Sequence, residues 1–309
     1  MALLPTTPDA GAPPSPGLAG FAPESFFAPE SFGVVGFGRM AQALLLPLID
    51  GGLVPATGVR AVVGTAASAA RLAAQHGLAV ATDPTEAWQA PVVLLAVKPQ
   101  LLAAAAAAAP GTAPGGASSG TAPPGAIAVG GGRPLLISVL AGVTLARLQA
   151  LFPGHRIVRA VPNTPALVRQ GLTGLAWGEG IPTEQQLWVR QLFGQVGEVL
   201  DLPESQLDAF LALTSSGPAY VALVAEAMAD GAVAAGLPRA LALRLAHRTL
   251  AGTAALLQEQ ELHPAQLKDM VASPGGTTIA GLRQLERAGV RSALIEAVVA
   301  AAESSRQLA

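Results

Sequence analysis

Short runs of consecutive apolar residues alternate with helix-period stretches through the first half of the chain. The runs Phe32–Val35, Val59–Val63, Leu78–Val80, Val92–Val97, Leu135–Leu140 and Arg156–Val161 read as strands. Between them, Arg39 to about Gly51, Ser68–Gly77, Asp83–Gln89 and Thr144–Phe152 space their apolar residues as helices do. Strands that are apolar throughout are buried on both faces, which is how a parallel sheet between helix layers reads. Strand–helix alternation with short connections predicts an α/β, doubly wound fold. From Gly171 the pattern shifts: Leu172–Trp177 reads as a strand, Glu184–Phe193 as a helix and Val196–Leu200 as a short strand. After Pro203, helices cover Tyr220–Ala235, Arg239–Gln258, Ile279–Ala288 and Arg291–Gln307. Helices this apolar, with few charges for an outer face, are buried on several sides. They predict the core of an oligomer, with a compact monomeric bundle as the alternative.

Two stretches fall outside this alternation. Residues 1–31 are rich in Pro, Ala and Gly and duplicate Phe-Ala-Pro-Glu-Ser-Phe at 21–26 and 27–32. Such a composition buries too little apolar surface to offset chain entropy, so an unstructured leader is expected. It lacks the basic start and continuous apolar core of a signal peptide. The seven alanines at 103–109 are expected to end a helix. The Gly-, Pro- and Ala-rich 110–134 is expected to form a flexible insertion at the sheet edge opposite the ligand crevice.

Composition narrows the classes. Hydrophobic residues make up 51% of the chain and charged ones 12%, so much surface must be hidden. No run approaches the roughly 20 uninterrupted apolar residues of a membrane span. A formal net charge of -2 without a dense basic cluster argues against nucleic acid. The absence of cysteine excludes disulfides, thiolate metal sites and a cysteine nucleophile, in keeping with a cytoplasmic protein. The four histidines show no ligand spacing or triad partner. No metal is expected, and each histidine is expected at the surface or as a cap.

The candidate chemistry falls at the carboxyl ends of the predicted strands, where open parallel sheets bind ligands. The first strand breaks at Gly36-x-Gly38-x-x-Ala41. There Gly36 permits a tight turn, Gly38 lets a pyrophosphate approach the backbone, and Ala41 lets the helix pack on the strand. The second strand ends in Val63-Gly64-Thr65 with no acid from 62 to 67. An NAD enzyme ordinarily carries an acid there for the ribose diol, so NADP(H) is favoured. Lys98 ends Ala96-Val97-Lys98-Pro99, and reads as a cation for cofactor or substrate anion against the plainer reading of a solvated strand end. Ala141-Gly142 and Pro162-Asn163-Thr164-Pro165 follow the next two strands. In the helical half, Ser273-Pro274-Gly275-Gly276-Thr277-Thr278 lies between two helices and can fold into a nest of N–H groups for a carboxylate. An ordinary helix start with a glycine turn is the equal alternative.

Taken together, Ala96–Gln100, Val161–Pro165, Ser216-Gly217-Pro218-Ala219-Tyr220 and above all Asp269-x-Val271-x-Ser273–Leu282 resemble the pyrroline-5-carboxylate reductases over Phe32–Leu308. The resemblance implies an N-terminal Rossmann domain (32–165) and a mainly helical substrate-binding and dimerisation domain (166–309). It implies homodimers, often assembled into decamers. It implies hydride transfer from NADPH, or from NADH, to the C=N carbon of 1-pyrroline-5-carboxylate, giving L-proline. Its implied substrate residues are Val271, Ser273, Gly276, Thr277 and Thr278, with Thr278 on the ring nitrogen; Thr278 and Lys98 are the expected catalytic pair. Its implied cofactor residues are Gly36, Phe37, Gly38, Arg39, Met40, Val63, Gly64, Thr65, Ala96, Val97, Lys98, Pro99, Ala141, Gly142 and Asn163. Ser215 stands where the family usually has glycine, and its Cβ is expected to crowd a helix start. A reductase of another cyclic imine acid and a non-catalytic NADP-binding regulator are the alternative functions.

Overall fold

The computed structural model describes residues 29–110 and 133–307. The expected leader and insertion lie almost wholly outside them. Strands β1 (Phe32–Val35), β2 (Val59–Val62), β3 (Ala79–Ala81), β4 (Val92–Leu95), β5 (Leu135–Ser138) and β6 (Arg156–Pro162) pair in the order β3-β2-β1-β4-β5-β6, all parallel. This is the dinucleotide-binding order, whose direction reverses between β1 and β4. Helices α1 (Arg39–Asp50), α2 (Ala66–His76), α3 (Thr85–Trp88), α4 (Leu102–Ala107) and α5 (Leu145–Leu151) connect the strands.

The apolar runs are buried on both faces, as their lack of alternation predicts. Phe32, Val34, Val92, Leu94, Leu135 and Ile137 face one core with Leu44, Leu45 and Leu48 of α1. Their neighbours Val35, Val93, Leu95 and Leu136 face a second core with Trp88, Leu102, Leu148 and Phe152. Each such side chain contributes about 1.5–3 kcal/mol of burial. The alanine run does end a helix: α4 stops at Ala107.

The sheet does not stop at residue 165. β7 (Gly171–Trp177) joins β6 antiparallel, and β8 (Gly197–Asp201) returns parallel to β7 after α6 (Thr183–Gly194). A boundary at 165 therefore cuts through the sheet. The sheet's outer pair closes only because Gly197 has φ +151; a Cβ there would lie 1.9 Å from the Gly171 carbonyl oxygen.

Six helices follow: α7 (Leu207–Thr214), α8 (Gly217–Ala234), α9 (Arg239–Glu259), α10 (Pro264–Met270), α11 (Thr277–Arg287) and α12 (Val290–Gln307). Leu207 of α7 packs on Val161 and Ala176 of the sheet. The α8–α9 seam is made of small residues, Ala229, Ala242 and Ala246. α12 returns to both: Tyr220 donates its hydroxyl to the Ala297 carbonyl (3.2 Å), and Ser305 donates to Asp208 (2.8 Å). The compact monomeric bundle is not what forms. Leu213, Leu223, Met270, Val271, Ile295 and Val299 all stand exposed.

Candidate active site

The parallel registers set Val35, Val62, Leu95, Ser138 and Arg159 side by side, so the loops after these strands share one edge. Gly36 turns there with φ +95. The Gly36 and Phe37 N–H groups both donate to the Val62 carbonyl at 3.1 Å. A Cβ on Gly36 would come within 2.7 Å of the Ala96 carbonyl, so the β1 and β4 loops can meet only at a glycine. Gly38 and Gly64 differ. A Cβ on either meets nothing within 4 Å, and Gly38 starts α1 without a side-chain cap. Protein packing does not demand these two glycines. The open cradle and uncapped helix start fit a pyrophosphate, which needs N–H groups and close backbone approach. Ala41 is fully buried against the sheet.

The remaining crevice residues divide into available and engaged. Arg39, Thr65, Lys98 and Ala141 are exposed, and Met40, Val63, Ala96, Val97 and Pro99 half-buried. Lys98 starts the 3-10 turn Pro99–Leu101, and among the described residues forms no ion pair. Gly142, with φ +73, turns the chain toward α5. Phe37 and Asn163 are engaged within the chain. The Phe37 ring is buried edge-on to His76, its N–H is bonded to Val62, and its carbonyl accepts from Gln42. Asn163 is buried; its amide donates to the Thr214 carbonyl (2.9 Å) and accepts from the Leu172 N–H (2.8 Å). Both help to frame the crevice.

Asn163 is half of a clasp between sheet and helices. The other half is Ser215, whose hydroxyl donates to the Pro162 carbonyl at 3.3 Å. Ser215 has φ -92, which any L-residue adopts, so its Cβ introduces no backbone strain.

In the helical half, Ser273–Gly276 is a tight turn. The Gly276 N–H donates to the Ser273 carbonyl (3.0 Å), Pro274 takes the second position, and Gly275 takes the third at φ +66, as a type II turn requires. The Ser273 hydroxyl folds back to 2.2 Å from where a Gly276 Cβ would lie, so a side chain there would force the hydroxyl to turn away. α11 then starts at Gly276 with no side-chain cap. An uncapped helix start beside Ser273, Thr277 and Thr278 is the chemistry that suits a carboxylate. Among the described residues, no hydrogen bond or ion pair links 271–279 to the sheet or its crevice loops. Val271, beside this turn, is 57% exposed.

Sequence reasoning passed over two buried groups. Arg159, 2% exposed in β6, pairs with Glu204 at 3.0 Å and Asp208 at 3.4 Å. Glu204 also accepts the Leu145 N–H that starts α5 (2.6 Å), and Asp208 accepts from Ser305 of α12. The signal was legible: a lone cation inside an apolar strand, and two acids four residues apart at a helix start. His155 is not a surface residue. It is buried against Trp88 and Phe152, neither ring nitrogen has a partner, and burial pushes its pKa down to about 4. His263 is the cap expected, closing a capping box with Gln266.

Comparison with known proteins agrees with this division. Residues 204–308 match the family described as pyrroline-5-carboxylate reductase dimerisation, and residues 31–116 match that described as NADP oxidoreductase coenzyme F420-dependent. The chain is 45% identical to the pyrroline-5-carboxylate reductase of Synechocystis sp., over 89% of this chain and 97% of the relative. It is 38% identical to that of Glycine max, over 90% and 96%. The solved 1-pyrroline-5-carboxylate reductase of Streptococcus pyogenes superposes with a TM-score of 0.76 at 28% identity, over 90% of this chain and 98% of the other. With a doubly wound sheet carrying an open glycine cradle, and a helical region carrying an anion nest, the chain belongs to the pyrroline-5-carboxylate reductase family.

Proposed function

We propose that two copies of this chain build each active site, with the crevice of one facing the 273–278 loop of the other. The family's reaction is reduction of 1-pyrroline-5-carboxylate to L-proline with NAD(P)H. The carrying observation is that the loop is complete in itself yet unconnected to the crevice of its own chain, while the apolar faces of its helices stand open. The residues that would hold the dinucleotide are Gly38, Arg39 and the α1 start for the pyrophosphate, Val63–Thr65 for the adenosine end, and Ala96–Pro99 with Ala141-Gly142 toward the nicotinamide. NADPH is the assigned cofactor, with NADH as the alternative. When bound, it supplies the hydride for the C=N carbon.

The chain's own part is binding and charge. Unclaimed N–H groups at the α11 start and the Ser273 and Thr277 hydroxyls hold the substrate carboxylate, with Gly276 and Val271 shaping the wall. Thr278 donates to the ring nitrogen, fixing the C=N face and stabilising the nitrogen as it gains its proton. Lys98, an unpaired cation at the crevice mouth, offsets the anionic charge gathered there. The chain needs no metal for this, since the cofactor carries the chemistry and the protein orients it.

Glu204–Ala234 is long and apolar enough to pass as a membrane span by composition. Its break at Ser215–Ser216 and its place in the dimerisation match favour a subunit interface instead. A cytoplasmic homodimer, or dimers gathered into a decamer, is the assembly proposed, with neither membrane nor nucleic acid as partner. The test is NADPH oxidation by purified protein supplied with pyrroline-5-carboxylate, repeated with NADH and with the six-membered imine acid. Turnover on the five-membered ring is expected, and Thr278→Ala should depress it while NADPH affinity holds. Faster turnover on the six-membered ring, or binding without turnover, would overturn the assignment.

A further inference from the structure

We infer that Arg71 of α2 is the residue that selects NADPH over NADH in this chain. The inference rests on the reading of the crevice as a dinucleotide site and decides which form that site prefers.

The end of β2 is where a nucleotide-binding sheet distinguishes a ribose diol from a 2′-phosphate. Val62–Ser68 offers no carboxylate to grip a diol and no cation to grip a phosphate. What it offers is small and hydroxylic. A Cβ on Gly64 meets nothing within 4 Å, and the Thr65 and Ser68 hydroxyls lie 2.9 Å apart at the start of α2. A dianion can enter such a space without repulsion, but hydroxyls alone distinguish it weakly from a hydroxyl.

The missing charge stands one turn along. Arg71 follows Ser68 by three residues, the spacing at which helix side chains are neighbours. Side chains on a helix lean toward its N-terminus, so the Arg71 stem starts toward the first turn. Its face is the solvent face, because Ala69 and Leu72 take the buried one. The neighbouring cation Arg60 is already neutralised by Glu86 at 3.2 Å. Arg71 has no carboxylate partner among the described residues. Its guanidinium donates only to the neutral Gln75 side chain, at 3.2 Å on the far side. An exposed arginine held by one neutral hydrogen bond swings at little cost, and the planar guanidinium suits a phosphate in a way a neutral side chain does not.

The test is equilibrium binding of NADPH and NADH to the full-length protein, read by calorimetry, with 2′,5′-ADP and 5′-AMP as probes of the phosphate alone. Wild type is expected to bind NADPH the tighter. Arg71→Ala should raise the NADPH Kd about tenfold or more while the NADH Kd stays within roughly twofold. Arg71→Lys should keep part of the preference. Gln75→Glu, which gives Arg71 an anionic resting partner, should weaken NADPH and leave NADH alone. Arg39→Ala, at the pyrophosphate, should weaken both alike. An unchanged NADPH-to-NADH ratio in Arg71→Ala overturns the inference while the dinucleotide site stands. So does a wild type that binds NADH as tightly as NADPH. A wild type that binds neither overturns the dinucleotide reading and this inference with it.

Discussion

In the sheet, Phe32, Val34, Val92 and Leu95 are wholly buried, whereas side chains of the same kind on the later helices, Leu223, Ile295 and Val299, stand in the open. Polar groups of the sheet find partners within the chain, although the Arg159 Nε has none among the described residues. Arg159 has its two acids and Asn163 its two backbone partners. The helices carry the uncapped start of α11 at Gly276, which among the described residues no hydrogen bond links to the sheet. Exposed apolar area on this scale marks a surface that another protein covers. The difference underlies the proposed division of labour, in which one chain supplies the cofactor's cradle and a second completes the reaction site.

The strongest way to break this contrast is to spoil the helical face alone. Leu223, 66% exposed on α8, supports nothing within its own chain. Leu223→Glu is expected to dissociate the dimer and lower turnover by at least about tenfold, since central apolar anchors dominate such interfaces. NADPH affinity should persist. Sedimentation beside calorimetry checks both halves of that statement, and a dimeric, fully active variant would place the interface elsewhere.

The reverse experiment attacks the sheet's internal completeness. Arg159→Ala leaves Glu204 and Asp208 without their cation and frees the starts of α5 and α7. A broken buried pair typically costs about 3–5 kcal/mol, and the lower end applies because both acids reach solvent. Denaturant unfolding of the variant measures it. A loss under about 1 kcal/mol, the value of a surface pair, would deny the network its role.

His155 gives a smaller and pH-gated effect. Its folded pKa is about 4, below the ordinary histidine value of about 6.5. The unfolded chain therefore takes up the proton first as pH falls. The neutral ring's contribution is fully present above about pH 6.5 and is lost as pH falls through about 4, amounting to about 3 kcal/mol at most. His155→Phe should flatten that slope without touching stability at neutral pH by more than the repacking of one ring. An equal acid slope in the variant would assign the sensitivity to other groups.

What the sequence could reveal follows the same divide. Strands buried on both faces announce themselves as unbroken apolar runs, so β1, β4 and β5 were legible, and the glycine turn with them. The 273–276 turn was legible because Pro274, Gly275 and Gly276 leave it few other conformations. Three things were not. The sheet's continuation through β7 and β8 is a matter of pairing, which a strand's own pattern does not state. Phe37 and Asn163 sit inside motifs of contact residues, but their partners Gln42, Thr214 and Leu172 are fixed by packing at a distance. His155 looks like any polar residue after a Pro-Gly turn until Trp88 and Phe152 close over it. Ser215 teaches the converse: where the family usually has glycine, the backbone here is an ordinary right-handed one, so the added Cβ brings no backbone strain.

The shared site can be tested by mixing two inactive proteins. Gly38→Val fills the cofactor cradle, where the structure leaves room for a side chain, and Thr278→Ala removes the ring-nitrogen donor. Each homodimer should be inactive. If crevice and nest come from different chains, a mixed dimer holds one site with both defects and one with neither. Co-refolded at equal amounts, the pair should regain about a quarter of wild-type turnover, from half the dimers with one site each. No regain above the separate variants, with mixed dimers shown to have formed, would place both halves of the site in a single chain and contradict the account.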